Sequence, residues 1–305
     1  MPLITLDDAA TRSLLEPRVL ISALREAFAD LRDGAFELPQ RLALADSGYL
    51  VMPTRHSGRE SLVVKILSLA AGRDPMISGL VSWSSTATDR SVVAPAETIT
   101  SLRTGAITGL ATDLLAAPDA SRLAIFGAGA LAADQVRAVH AVRPLSEVTV
   151  VVRTPSRADP LMARLRAELP EVDLAVVAIG DRDLSRCDII CCATSSTAPL
   201  FAVTELAERV HINAVGSYKP SMHEFPSELI TDAASVVVDD LAACMTESGE
   251  LIDAVRADLI GTDDLTELTT IVGGAPAVSG RTVFKSVGVA IQDWAAMELL
   301  AASHS

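Results

Sequence analysis

The sequence predicts an α/β protein in which a doubly wound parallel sheet is joined to a second, mostly antiparallel α+β domain. Three observations lead there. At 305 residues the chain exceeds the usual size of one domain, so two domains sharing one active-site cleft are expected. From Ser121 onward, apolar β-like runs alternate with helical segments, the order expected of parallel strands crossed by helices. Between Pro39 and Pro95 the rhythm differs: short β-like runs follow one another, separated by Gly, Asp and Ser.

Composition narrows the class. Half of the residues are hydrophobic but only 3% are aromatic, and Ala, Val and Leu dominate, as in helices packed on buried parallel strands. No apolar stretch approaches the roughly 18 residues that span a bilayer, and Met1–Asp7 lacks the basic start of a signal peptide. A soluble, cytoplasmic protein is expected. Lys and Arg total 25 against 39 Asp and Glu, a net charge of −14, which argues against nucleic acid or an anionic membrane as partner. A substrate carboxylate or a cofactor phosphate must therefore be met by a few placed cations. Cys187, Cys191, Cys192 and Cys244 show neither a CxxC spacing nor nearby paired histidines, so they read as buried small hydrophobes, with no metal site expected.

Taken in order, Asp7 or Asp8 can cap a helical stretch that places Val19, Leu20, Ala23, Leu24, Ala27, Phe28 and Leu31 on one face and ends at Gly34. The runs RLALA, YLVMPT, LVVKILSLA, GLVSW and SVVAP then form the antiparallel sheet, and a helix from about Glu97 to Ala117 follows. LAIF, EVTVVV, DLAVVA, DIICCA, HINAV and SVVVD supply the parallel strands. A helical tail at Leu265–Ile271 gives way to a loop at Gly273–Gly274. The last long segment, Arg281–Leu300, has an apolar face expected to cross back onto the first domain. The alternation between Pro39 and Pro95 leaves apolar faces that a small domain cannot cover alone, so a homodimer is expected to pack them across a two-fold axis.

The stretch Leu123–Ala132, LAIFGAGALA, reads as the first βα turn of a dinucleotide-binding unit. Gly127 allows the tight turn, Gly129 lets the backbone approach a pyrophosphate, and Ala132 permits close packing of helix and strand. Ala128, Ala130 and Leu131 complete the turn, with the helix N-terminus facing the phosphates. The second strand then ends in Val152-Arg153-Thr154-Pro155-Ser156-Arg157. Arg153 stands 26 residues past Gly127, somewhat more than the usual spacing of about 20. No carboxylate sits at this tip to pair with a ribose 2′-hydroxyl. Two arginines, Arg153 and Arg157, bracket hydroxyl residues, which favours NADP(H) over NAD(H); an incidental solvated turn is the alternative.

Three cations in the first half stand out: Arg41 at the start of a β-like run, Lys65 within LVVKILSL, and Arg103 in TSLRTGAITGL. A lysine flanked by Val64 and Ile66 is costly to bury unless paired or aimed into a polar cleft. On a strand it occupies one face and both neighbours the other. An edge-strand lysine pointing at solvent would look the same.

Together, VMP at Val51–Pro53, VKI around Lys65, SLRTGAITGLATDLLA, FGAGALA, CCATSS, NAVGSYKPSMHEFP and TVFKSVGVAIQDWA resemble the ornithine cyclodeaminase/mu-crystallin family, in order and over nearly the whole chain. The resemblance implies a homodimer. It also implies a Rossmann domain over 113–287 and a split, mostly antiparallel α+β substrate-binding and dimerisation domain built from 1–112 and 288–305. By the same resemblance, Arg41 and Arg103 hold a substrate carboxylate and Lys65 lines the reaction centre. Thr194, Ser195, Val215, Gly216 and Ser217 border the nicotinamide and ribose. Ser286 belongs to a segment that closes over the site, while His223 and Glu224 read as structural.

Members that deaminate ornithine carry an aspartate after the glycine of the Val215–Ser217 turn. Ser217 stands there instead, without the basicity to activate water or an attacking amine. The expected activity is therefore that of the family's ketimine reductases. NADPH would reduce a cyclic α-imino acid, of the Δ1-pyrroline-2-carboxylate or Δ1-piperideine-2-carboxylate type, to proline or pipecolate. The alternatives are a cyclodeaminase using NAD⁺, an open-chain amino-acid dehydrogenase or N-alkyl amino-acid synthase, and a non-catalytic binding protein of the mu-crystallin kind.

Overall fold

The structure, a computed structural model, describes residues 2–44, 48–70, 77–274 and 279–304. The chain divides into two compact units, Met1–Ile107 with Val289–Ser305, and Thr108–Gly288.

The first unit contains β1 (Leu3–Thr5), α1 (Asp8–Leu14), α2 (Pro17–Arg32), β2 (Phe36–Glu37), β3 (Leu42–Leu44), β4 (Tyr49–His56), β5 (Ser61–Leu69), β6 (Ile77–Ser85), β7 (Ser91–Pro95) and the start of α3 (Ala96–Leu115). The C-terminal helix, Ala290–Ala302, completes it. The strands form one sheet in the order β1-β7-β6-β5-β4-β2, with β3 also on β4. Pairing is antiparallel except between β1 and β7. Ala45, the end of the run RLALA, lies outside the described residues.

The single N-terminal helix expected from the sequence is two. Asp7 does cap α1, its carboxylate accepting from the Ala10 N–H at 2.8 Å. Pro17 cannot continue α1, because it lacks an N–H and its ring crowds the preceding turn, so it opens α2 instead. The break resets the helical phase: Val19 is 48% exposed, and the buried face is Leu20, Ile21, Leu24, Ala27 and Phe28.

The C-terminal helix lies on β4–β7 and α2. Two indoles fix it. Trp294 stacks on His56 at 4.9 Å between ring centroids, meets Phe36 edge-on at 4.8 Å and donates to the Ser61 hydroxyl. Trp83 of β6 donates to Glu298 at 2.8 Å.

The second unit follows the expected alternation: β8 (Arg122–Phe126), α4 (Ala132–Val142), β9 (Glu147–Val152), α5 (Asp159–Glu168), β10 (Asp173–Ala178), β11 (Ile189–Cys192), β12 (His211–Ala214), β13 (Ser235–Val238), β14 (Thr266–Glu267) and β15 (Thr282–Lys285). Its strands are all parallel, in the order β10-β9-β8-β11-β12-β15-β13-β14. Winding runs outward from β8 in one direction and from β11 in the other, so the switch point where such folds bind ligands lies between β8 and β11. Successive residues alternate between two buried layers: Ile125, Val150 and Cys191 pack with α4 and α5, while Phe126, Val151 and Cys192 pack with Phe225 and Leu251.

Two expectations change at the end of this unit. Thr282–Lys285, read as the beginning of a long last segment, is a strand that inserts between β12 and β13. The apolar residues Val283 and Phe284 are buried on both faces, which a central parallel strand requires. The tail at Leu265–Ile271 opens with the two-residue edge strand β14, and only its second part, Leu268–Ile271, is a helical turn.

Replacing Trp294 by Ala removes an indole packed between His56 and Phe36, so unfolding free energy should drop by about 3–5 kcal/mol. Urea unfolding checks this, with Trp294→Phe expected to recover most of the loss.

Candidate active site

Lys65 is central to β5, on the same face as Val63 and Leu67, with Val64 and Ile66 on the other. It does not face solvent: its side chain is 1% exposed and paired with Asp293 of the C-terminal helix, itself 0% exposed. The Lys65 ammonium donates to both carboxylate oxygens, at 2.9 and 3.1 Å. Arg103 of α3 shares that carboxylate, its Nε lying 3.5 Å from Asp293 Oδ1, and donates through its other end to Gln292. Burial lowers the Lys65 pKa to about 8, Asp293 opposes the shift, and Arg103 and Arg41 add to it. Lys65, Arg103 and Arg41 thus sense one another in the first unit. Two cations sharing one carboxylate suit an incoming anion.

At the carboxyl end of β8, Gly127 has φ +101°, and a Cβ there would stand 2.8 Å from the Ala193 carbonyl oxygen. Only glycine fits this turn without strain. Gly129 is different: it is exposed, and a Cβ built on it would meet nothing within 4 Å. Ala128 and Leu131 are partly buried and Ala130 is exposed. The start of α4 has no side-chain cap. Next to this turn, which is joined to β9 by the Gly127 N–H to Val151 carbonyl bond, Arg153, Thr154 and Arg157 are exposed at the tip of β9. Neither Arg153 nor Arg157 has an ion-pair partner among the described residues. An open glycine rim, an uncapped helix start and two such guanidiniums fit a phosphate-bearing dinucleotide.

Thr194 and Ser195 follow β11, and Val215, Gly216 and Ser217 follow β12. The structure therefore brings the cofactor candidates of the sequence to one edge, the carboxyl ends of β9, β8, β11 and β12. Ser195 is exposed, whereas Val215 is buried and Thr194 is tied to Glu224. Ser217 needs correction. Its side chain is fully buried, its hydroxyl donating to Glu250 at 2.7 Å and accepting from Lys285, so it presents no face to a ligand. Tyr218 is the first partly exposed side chain beyond it, with Lys219 Nζ 5.4 Å from its ring centroid, and burial raises the pKa of its phenol. Ser286 is buried too. Its hydroxyl donates to Asp239 at 2.6 Å, and Asp239 also takes the Gly288 N–H at 3.0 Å where the chain leaves the second unit.

Asp293, Glu250 and Lys285 were assigned no individual role from the sequence, and Glu224 was read as structural; all four are buried. A signal was present for two of them. Asp293 in VAIQDWAAM and Lys285 in TVFKSV are lone charges in apolar runs, the same cue that singled out Lys65. The cysteines are buried as expected, and burial pushes the Cys187 and Cys191 thiols up to about 12. Among the described residues no cluster of His, Cys, Asp and Glu could hold a metal, and no helix is long and apolar enough to cross a membrane.

The chain is 35% identical over 256 residues to a Δ1-pyrroline-2-carboxylate reductase of Bacillus cereus, covering 80% of this chain and 78% of that protein. Among solved structures, the Thermococcus litoralis Δ1-pyrroline-2-carboxylate reductase in complex with NADH and L-proline superposes with a TM-score of 0.88 at 27% identity, covering 100% of this chain and 98% of the other. An archaeal alanine dehydrogenase dimer with bound NAD gives 0.87 at 26% identity, covering 100% and 97%. The profile of the ornithine cyclodeaminase/mu-crystallin family matches residues 6–304, and the chain belongs to that family.

Proposed function

We propose that the protein reduces a cyclic α-imino acid of the Δ1-pyrroline-2-carboxylate or Δ1-piperideine-2-carboxylate type to the L-amino acid, using NADPH. The observation that carries this reading is the buried Lys65, poised with a pKa of about 8 and sharing Asp293 with Arg103. When bound, a reduced nicotinamide supplies the hydride. The chain's own residues do the rest: Arg41 and Arg103 hold the substrate carboxylate, and Lys65 gives a proton to the nitrogen as the imine becomes an amine. Asp293 orients the ammonium and keeps it charged. Gly127–Leu131 and the start of α4 would hold the pyrophosphate, Arg153, Thr154 and Arg157 the 2′-phosphate, and Thr194, Ser195, Val215 and Gly216 the nicotinamide half. The B. cereus and T. litoralis relatives support the substrate class. The turn Val215–Pro220 contains no carboxylate, which counts against deamination of ornithine. The likeness to alanine dehydrogenase favours, as second reading, the same chemistry on an open-chain imine.

A homodimer is part of this proposal. On the face of the sheet opposite Lys65, Leu42, Val51, Ile66 and Leu80 stand side by side across β3–β6. Leu42 is 55%, Ile66 44% and Leu80 41% exposed, and Leu44, Tyr49 and Leu62 extend the patch. An apolar surface of this kind supports an interface between two copies of the chain.

Protonated Lys65 is the active form for reduction, so kcat should be flat below about pH 8 and fall above it. Lys65→Met should lower kcat by about 10²–10⁴-fold with cofactor affinity unchanged, and Arg41→Met should mainly raise KM. Asp293→Asn removes the group that raises the Lys65 pKa and should move the alkaline limb to lower pH. Steady-state kinetics across pH decides: a Lys65→Met enzyme with normal kcat leaves Lys65 a purely structural ion pair.

NADPH should bind more tightly than NADH, because a charge-assisted phosphate contact is worth about 1.5–3 kcal/mol, or roughly tenfold to a hundredfold. Arg153→Asp should narrow or reverse that ratio in a fluorescence titration. Equal affinities in the unaltered protein would rule out the NADP(H) assignment.

Ile66→Asp, at an exposed position of β5, should convert the dimer to a monomer at micromolar concentration without loss of secondary structure. Sedimentation of an undisturbed dimer would place the interface elsewhere.

A further inference from the structure

We propose that Glu224 is a positioning residue for the nicotinamide half of the cofactor, its one carboxylate clamping the turn after β11 to the turn after β12. The inference rests on the cofactor reading above and concerns a residue that the sequence assigned no role in binding.

Glu224 is fully buried and accepts four hydrogen bonds, divided by oxygen between the two turns. Oε1 accepts from the Thr194 N–H at 2.7 Å and the Thr194 hydroxyl at 2.8 Å. Oε2 accepts from the Gly216 N–H at 2.8 Å and the Ser217 N–H at 3.1 Å. The turns they hold extend the adjacent parallel strands β11 and β12, where Cys192 pairs with Ala214. They also press against each other: a Cβ on Gly216 would stand 2.3 Å from the Thr194 nitrogen and carbonyl oxygen and 2.6 Å from Glu224 Oε1. Here glycine is required by turn-on-turn packing.

The clamp is itself held from behind. Glu250, also buried, accepts from the Glu224 N–H at 2.8 Å, the Ser217 hydroxyl at 2.7 Å and the Ser248 hydroxyl at 2.8 Å. Lys285, at the end of β15, donates to the Ser217 carbonyl oxygen at 2.7 Å and to its hydroxyl. Burial raises the Glu224 pKa, and Lys285 together with the Thr194 and Gly216 donors opposes that rise. All four neighbours of its oxygens can donate, so the geometry is that of an ionised carboxylate. Two buried carboxylates and an ammonium are a costly way to fill space, since apolar side chains of the same size often serve stability as well or better. What Glu224 supplies, and an apolar residue could not, is acceptors for three main-chain N–H groups at fixed spacing. Those N–H groups lie in the segments Thr194–Ser195 and Val215–Ser217 assigned to the nicotinamide half. Gly127 and Arg153, assigned to the other half, touch none of the cluster's bonds.

That separation supplies the test. Glu224→Gln keeps the shape but faces one turn with an amide NH₂ where an acceptor is needed, freeing that turn. Calorimetric titration of NADPH and of adenosine 2′,5′-bisphosphate, which lacks the nicotinamide half, should show NADPH affinity falling at least tenfold while affinity for the fragment stays within twofold. NADH and ADP-ribose replace the pair if the unaltered protein prefers them. Glu250→Gln, which weakens the support without removing the clamp, should give a smaller split in the same direction and serves if Glu224→Gln does not fold. Parallel loss of both probes, or unchanged NADPH affinity, in a folded variant overturns the inference alone. An unaltered protein that binds neither probe overturns the cofactor reading and this inference with it.

Discussion

The Lys65–Asp293 ion pair dictates how the chain is laid out. An ammonium buried on a central strand costs several kcal/mol unless a partner meets it with good geometry, and the partner here comes from a helix 228 residues later. The first unit is consequently unfinished until the chain end returns, and everything between Thr108 and Gly288 is an insertion in it. The other fixings of the C-terminal helix, Trp294 against His56 and Trp83 to Glu298, serve the same closure. Contacts of this separation carry a loop-closure cost that local pairing does not, which makes late docking of the terminal helix the natural order of assembly.

The same residue type answers different demands along the sheet edge. Gly127 is dictated by a positive φ, Gly216 by the crowding of two turns, and Gly129 by neither, since space is open around it. Only the last leaves room for something outside the chain. Buried charge divides similarly. In the first unit two cations share one carboxylate, an arrangement receptive to an anion. In the second, two carboxylates are satisfied by main-chain and hydroxyl donors and Lys285 by the carbonyl and hydroxyl oxygens of Ser217, and all three turn inward. One cluster is built to receive, the other to hold a shape.

Local features were legible in the sequence because their causes are local. The glycine turn follows from turn chemistry, the β8–β13 strands from short apolar runs, and the antiparallel runs from β3 to β7 from two-residue periodicity, each over a few positions. Lys65 was visible as a charge in an apolar run, but its environment was not, because Asp293 is remote in sequence. The insertion of β15 between β12 and β13 was hidden for the same reason: nothing within TVFK states which strands flank it. Pro17 was a local signal that was passed over, and it split the first helix. Ser217 shows the limit of a motif. Its position in the turn was right, yet only the packing of Glu250 and Lys285 around it shows that it faces inward.

The placement of the cysteines has a consequence for the protein's chemistry outside its reaction. Cys191 and Cys192 are neighbours in sequence, but the pleat of β11 sends them into opposite layers, and Cys187 and Cys244 are buried as well. Burial holds these thiols protonated, and the thiolate is the species that oxidants and alkylating reagents attack. The folded chain therefore keeps these four thiols away from oxidants and alkylating reagents, which reach them only as fast as the second unit opens.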